Sequence, residues 1–101
     1  MKVELLAAAE AELAEAVLHY NDQSEGLGYE FAAEVKRTIA RIIRFPDAWP
    51  TLSARTRRCR TRRFPYGLVY QVRGDLVLIV AVMHLGRHPD TWRSRLGLQD
   101  Q

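Results

Sequence analysis

Tyr66-Gly67-Leu68-Val69-Tyr70-Gln71-Val72-Arg73-Gly74-Asp75-Leu76-Val77-Leu78-Ile79-Val80-Ala81-Val82-Met83-His84 is the stretch that decides the fold. Its first part, centred on Leu68-Val69-Tyr70-Gln71-Val72, is β-branched and aromatic and predicts a strand from about Tyr66 to Arg73. Gly74-Asp75 suits a two-residue hairpin turn, because glycine tolerates the positive φ needed there. Leu76 to about His84 is apolar on both alternating faces, which marks a central strand covered on each side.

Upstream, Arg57 to Arg63 reads as a further strand, preceded by a loop over Pro46 to Ala54 with Trp49-Pro50 at its centre. Before that loop the period changes from two to between three and four. Leu6, Ala9, Leu13, Val17 and Tyr20 fall on one face of a helix, with Glu10, Glu12 and Glu15 on or near the others. The turn-prone run Asn21-Asp22-Gln23-Ser24 ends that pattern. Leu27, Phe31, Val35, Ile39 and Ile42 make the stripe of a second helix. Its charges run from Glu30 and Glu34 to Arg41 and Arg44, complementing the helix dipole, and Phe45-Pro46 stops it. Lys2 to Leu6 is short enough for one more strand. The predicted fold is α+β: an N-terminal strand, then an antiparallel helical hairpin on one face of a small, mainly antiparallel sheet, in the order β-α-α-β-β-β. At 101 residues this is one domain spanning 1–101, with a polar C-terminal tail over about 93–101 in which Trp92 is the nearby apolar anchor.

Charge is divided along the chain. Residues 1–34 hold eight acidic residues and one basic one, whereas residues 35–101 hold fourteen basic and four acidic. Thirteen of the fifteen cations are arginine, the side chain suited to planar recognition of phosphate and carboxylate. Single Cys59 cannot form an internal disulfide, and the chain shows neither a secretory signal nor an apolar run of bilayer length. These features imply a soluble, cytoplasmic protein with no membrane association.

Arg55-Thr56-Arg57-Arg58-Cys59-Arg60-Thr61-Arg62-Arg63 is the most distinctive segment. On a strand, Arg58, Arg60 and Arg62 share one face while Cys59 and Thr61 point towards the helices. A row of like charges costs stability unless something anionic offsets it, so Arg58, Arg60, Arg62 and Arg63 are the candidate target- or nucleic-acid-binding residues. Edge-strand charges that block aggregation are the structural alternative. His84, at a strand end, could act as a general acid or base, or be hydrogen-bonded to backbone. Arg87 could bind a phosphate or pair with Asp90. His84 and His88 stand four apart, but Gly86 and Pro89 oppose a helix there, so no metal is assigned. Without a glycine-rich phosphate loop, no cofactor is assigned either. Trp49, Trp92, Tyr66 and Tyr70 read as packing residues.

Three segments together resemble the RelE/ParE toxin family. They are Phe31-Ala32-Ala33-Glu34-Val35 with the Phe45-Pro46 helix end, Phe64-Pro65-Tyr66-Gly67-Leu68-Val69-Tyr70-Gln71-Val72, and Ala81-Val82-Met83-His84-Leu85-Gly86-Arg87-His88-Pro89-Asp90-Thr91-Trp92. The resemblance implies a toxin of a type II toxin–antitoxin system, used in plasmid stabilization and growth inhibition and neutralised by a cognate antitoxin protein. RelE-like members cleave messenger RNA on the ribosome without a metal; ParE-like members poison DNA gyrase. For RelE-like chemistry the matching catalytic residues are Arg58, Arg60 and Arg87, with His84 in the acid–base role. The arginine that often precedes Leu-Val-Tyr is Gly67 here, and the tyrosine expected near the C-terminus is missing, with Trp92 nearby. The Phe64-Pro65-Tyr66 and His84-x-x-Arg87-x-Pro89 pattern resembles ParE-like sequences more. Action on gyrase is therefore the first expectation, a ribosome-dependent mRNA endonuclease the second, and an inactive antitoxin-binding module the third.

Overall fold

β4 (Leu76–His84) lies inside the sheet, as its apolar run requires. The computed structural model describes residues 1–88 and 90–101. Ahead of β4 come β1 (Lys2–Leu5), α1 (Ala7–Gln23), α2 (Leu27–Arg44), β2 (Arg57–Arg60) and β3 (Tyr66–Arg73). After it come two single turns of 3-10 helix, Arg93–Arg95 and Leu98–Asp100. Spatial order in the sheet is β1-β4-β3-β2. β1 runs parallel to β4, and the other two pairings are antiparallel. Arg73 pairs with Leu76 across the hairpin, and Gly74 at its turn has φ +59°, the left-handed geometry glycine supplies without strain.

The predicted helical hairpin covers one face of this sheet. Phe31, Val35 and Ile42 of α2 are buried against Leu68, Tyr70, Val77, Ile79 and Val82, with Leu13, Val17 and Tyr20 of α1 completing the layer. α1 extends through Gln23, beyond the expected break at Asn21. The Asn21 side chain accepts from the Gly28 N–H at 2.7 Å, so this turn-prone residue ties the two helices together from within α1. The loop before β2 is also more ordered than its composition suggests. Thr51 bridges Arg57, and the Arg58 N–H donates to the Pro50 carbonyl at 3.0 Å, which covers the outer edge of β2.

The second face of the sheet has its own apolar layer. Val69, Leu78, Val80, Ala81 and Met83 pack with Trp92, which is fully buried, and with Leu52 and Leu96. The segment over 93–101 thus folds back onto the domain and belongs to its packing. An irregularity in β4 divides the two layers. Val69 pairs with Ala81 and Tyr70 with Ile79, leaving Val80 as the extra residue of a bulge. Val80 and Ala81 consequently join the same layer, and the alternation restarts with Val82 on the helix side and Met83 opposite.

β1 accompanies β4 only as far as Ile79. Beyond it, two side chains finish that edge of β4. The Val82 N–H donates to Glu12 Oε1 at 3.1 Å, and Arg95 donates to the Val80 carbonyl at 3.0 Å. Glu12 and Arg95 are joined to each other by two hydrogen bonds of 2.6 and 2.9 Å, with side chains only 13% and 17% exposed. Glu12 is therefore not a solvent-facing helix residue, and Arg95 is not a tail residue without a task. Removing one partner of such a pair strands the other, at a cost of about 3 kcal/mol. Arg95→Met should lower the urea unfolding free energy by about that amount. Because neither charge is then left alone, adding Glu12→Leu to Arg95→Met should cost less than the sum of the single changes.

Candidate functional site

β2 presents its arginines on two faces. Cys59 pairs with Leu68 and is buried under the helices, where burial pushes its thiol up from the ordinary value. Arg58 pairs with Val69 and Arg60 with Gly67, so both stand on the opposite face, at the border of the Trp92 layer. The aliphatic stem of Arg58 lies across Gly67. A Cβ at residue 67 would meet Arg58 Cδ at 2.9 Å and Cγ at 3.0 Å. The missing side chain at Gly67 is thus what seats Arg58 flat on the sheet.

The row does not continue to Arg62 and Arg63. β2 stops at Arg60, and the Thr61 hydroxyl donates to the Phe64 carbonyl at 2.9 Å, closing a turn in which Arg63 takes φ +73°. Arg63 pairs with Glu30 of α2 at 2.7 Å, and the Arg62 N–H donates to Glu34 Oε2 at 2.5 Å. The expected face shared by Arg58, Arg60 and Arg62 is therefore reduced to Arg58 and Arg60. A turn with a left-handed residue overrides alternation, and the acidic side chains of α2 engage Arg62 and Arg63.

Glu34 is the anchor of that turn, a role beyond the dipole charge its sequence position suggests. It is 4% exposed. Its carboxylate accepts from Arg37 Nε (3.1 Å), Arg41 (3.0 Å) and the Thr38 hydroxyl (3.2 Å), besides the Arg62 N–H. Burial alone would push the carboxyl up. The backbone N–H of Arg62, then Arg41, Arg37 and Thr38, outweigh it and hold the group at about 2. The spacing of Glu34, Thr38 and Arg41 on one helix stripe was the available signal.

His84 and Arg87 lie elsewhere. The bulge at Val80 turns His84 to the helix side, where its ring meets Tyr66 edge-on at 5.3 Å. His84 and Arg87 line a cleft of about 260 Å³ with Glu15, His19 and Tyr66. His84 Nδ1 accepts from the Gly86 N–H at 2.9 Å, the backbone-bonded alternative raised by the sequence. Asp90 pairs with Arg93 at 2.8 Å, not with Arg87. Pro89, the last residue of the His84-x-x-Arg87-x-Pro89 pattern, lies outside the described residues. The four candidate catalytic residues are thus divided, with Arg58 and Arg60 on one face and His84 and Arg87 beside α1 on the other. Among the described residues no group of three His, Cys, Asp or Glu side chains could hold a metal ion, and no helix is long and apolar enough to cross a membrane.

A helical hairpin on one face of a β1-β4-β3-β2 sheet has a counterpart among solved structures. The chain superposes on a chain of the chromosomal ParDE TA system from P. aeruginosa with a TM-score of 0.66. The match covers 83% of this chain and 95% of that one at 14% identity, a likeness of fold alone. No curated protein sequence matches significantly. The family model described as the ParE toxin of the type II toxin–antitoxin system parDE matches residues 3–89, and the chain belongs to this family. It is a toxin of a type II toxin–antitoxin system, which implies a cognate antitoxin as partner.

Glu34 also makes stability depend on pH. Its folded value lies below the ordinary 4.5, so its contribution is complete above about pH 4.5 and is lost as pH falls towards about 2. Urea denaturation should show about 3 kcal/mol of stability disappearing across that window. In Glu34→Gln this part of the slope should be absent.

Proposed function

We propose that this chain is a growth-inhibiting toxin that acts on DNA gyrase in the cytoplasm until its cognate antitoxin neutralises it. The observation that favours gyrase over ribosome-bound messenger RNA is the division of the basic residues between the two sheet faces. Cleavage at a ribose 2′-hydroxyl needs an acid, a base and positive charge gathered around one phosphate, within hydrogen-bond reach. Here the sheet separates His84 and Arg87 from Arg58 and Arg60. Arg58 and Arg60 serve better as a binding surface, the antitoxin covering them at rest and the target meeting them when the toxin is free. An antitoxin segment that gains order on this face would offset the repulsion between the two guanidinium groups.

The deciding experiment pairs two assays on the purified chain. With gyrase and plasmid DNA, gyrase-dependent DNA breaks should accumulate. In a translation extract, messages should stay intact; codon-positioned cuts lost in Arg58→Ala would overturn the proposal. Arg60→Ala should reduce toxicity by about tenfold, equivalent to about 1.4 kcal/mol of lost binding. Arg95→Ala removes a largely buried ion pair and is no neutral control. Exposed Arg44 at the end of α2 is the better one, and Arg44→Ala should leave toxicity unchanged.

A further inference from the structure

At the end of the sheet marked by the β3–β4 turn, Arg55, Arg57 and Arg73 converge on a cleft of about 600 Å³ that also includes Asp47, Gln71 and Asp100. The residue on one wall, Asp100, comes from the 3-10 turn Leu98–Asp100. Its carboxylate lies 3.7 Å from both Arg55 and Arg73, and its backbone carbonyl accepts from Gln71 Nε2. One aspartate is thus gripped both by its main chain and by its side chain.

The grip is built in advance. Gln71 is 2% exposed. Its Nε2 also donates to the fully buried Thr56 hydroxyl at 3.0 Å, and its Oε1 accepts from Arg73 Nε and Nη2 at 3.0 and 2.8 Å. The buried amide therefore aims the Arg73 guanidinium into the cleft with two bonds that converge on one oxygen. Arg57 donates to the Trp49 carbonyl at 2.7 Å and lines the same cleft. The occupant's main chain is held by Gln71 at the Asp100 carbonyl and by Ser53 at the Gln101 carbonyl, and the Gln101 side chain donates to the Arg93 carbonyl, but its carboxylate is held loosely. Its ion pairs are long and solvent-exposed, a kind worth little in water, and neighbouring Leu98 is 90% exposed. A pre-aimed arginine pair that holds a carboxylate this weakly is arranged for its exchange.

We propose that this cleft is a binding site for an acidic peptide segment of a partner protein, recognised through an aspartate carbonyl and carboxylate, and that residues 98–101 occupy it as an internal competitor. A carboxylate-bearing peptide is favoured over a free phosphate because Gln71 gives its N–H to a main-chain carbonyl, which phosphate lacks. The site is separate from the Arg58 and Arg60 face and needs neither gyrase nor antitoxin for its test.

The probe is the peptide Gly-Leu-Gln-Asp-Gln, a copy of residues 97–101, titrated by calorimetry into the full chain. Asp100→Asn weakens the internal ligand and should bind the probe about threefold more tightly than the unchanged chain does, the gain expected from exposed ion pairs. Adding Arg73→Ala should abolish that gain. If that variant unfolds, adding the more exposed Arg55→Ala in its place should give the same loss. Equal affinities of the unchanged chain and Asp100→Asn, or a gain that survives both arginine substitutions, would overturn the proposal. Displacement of the peptide by an equal concentration of inorganic phosphate would overturn it in favour of a simple anion site. Dimerisation of Asp100→Asn without peptide would do so in favour of a second copy.

Discussion

β4 is buried on both faces, so each N–H and C=O along its two edges needs a partner inside the protein. β3 supplies one edge along the whole strand. β1 supplies the other as far as Ile79, after which the chain has already turned into α1. The Glu12–Arg95 pair takes over where β1 ends, one member accepting from Val82 and the other donating to Val80. This substitution of a side-chain pair for a strand fixes much else. It sets α1 against the upper half of β4, and it draws the C-terminal segment back across the second sheet face. There Trp92 and Leu96 complete an apolar layer that β4 could not leave bare.

A bulge of one residue has a comparable reach. Were the same residues of β4 to run without a bulge, strict alternation from Leu76 would carry His84 to the face that displays Arg58 and Arg60. With it, His84 stands beside Tyr66 and α1, and the basic groups divide into two surfaces with different neighbours. Among the described residues, the surface on β2 has no acid–base partner and the cleft beside α1 has no arginine row. That division underlies the preference for a binding toxin over a nuclease.

Much of the architecture was legible because local signals agreed with one another. The β3–β4 hairpin announced itself through residue type and Gly74-Asp75, and the helical hairpin through the stripes ending at Tyr20 and Ile42. The bulge was hidden for a physical reason: in Leu76 to Met83 both faces are apolar, so a change of phase leaves no trace in residue type. Glu12 and Glu34 escape a reading by sequence because an isolated glutamate on a helix is ordinarily solvated; only the distant Arg95 and the Arg62 N–H make burial favourable. Of the candidate site, Arg58 and Arg60 stand where alternation puts them, on the face away from the helices. The departure of Arg62 and Arg63 depended on a tight turn that nothing in an arginine-rich run foretells. Gly67, a departure from the family pattern, gains its reason from the Arg58 stem that lies over it.

The Glu12–Arg95 pair joins residues 83 positions apart. A ribosome makes Glu12 early and Arg95 near the end of the described chain, so nearly the whole domain must leave the exit tunnel before the upper edge of β4 can close. Until then the strand exposes free N–H and C=O groups, the condition in which a nascent chain most readily takes a strand or helix from another molecule. The delay is a property of the pairing itself: the Val82 N–H and the Val80 carbonyl stay without these side-chain partners until residue 95 has joined the fold.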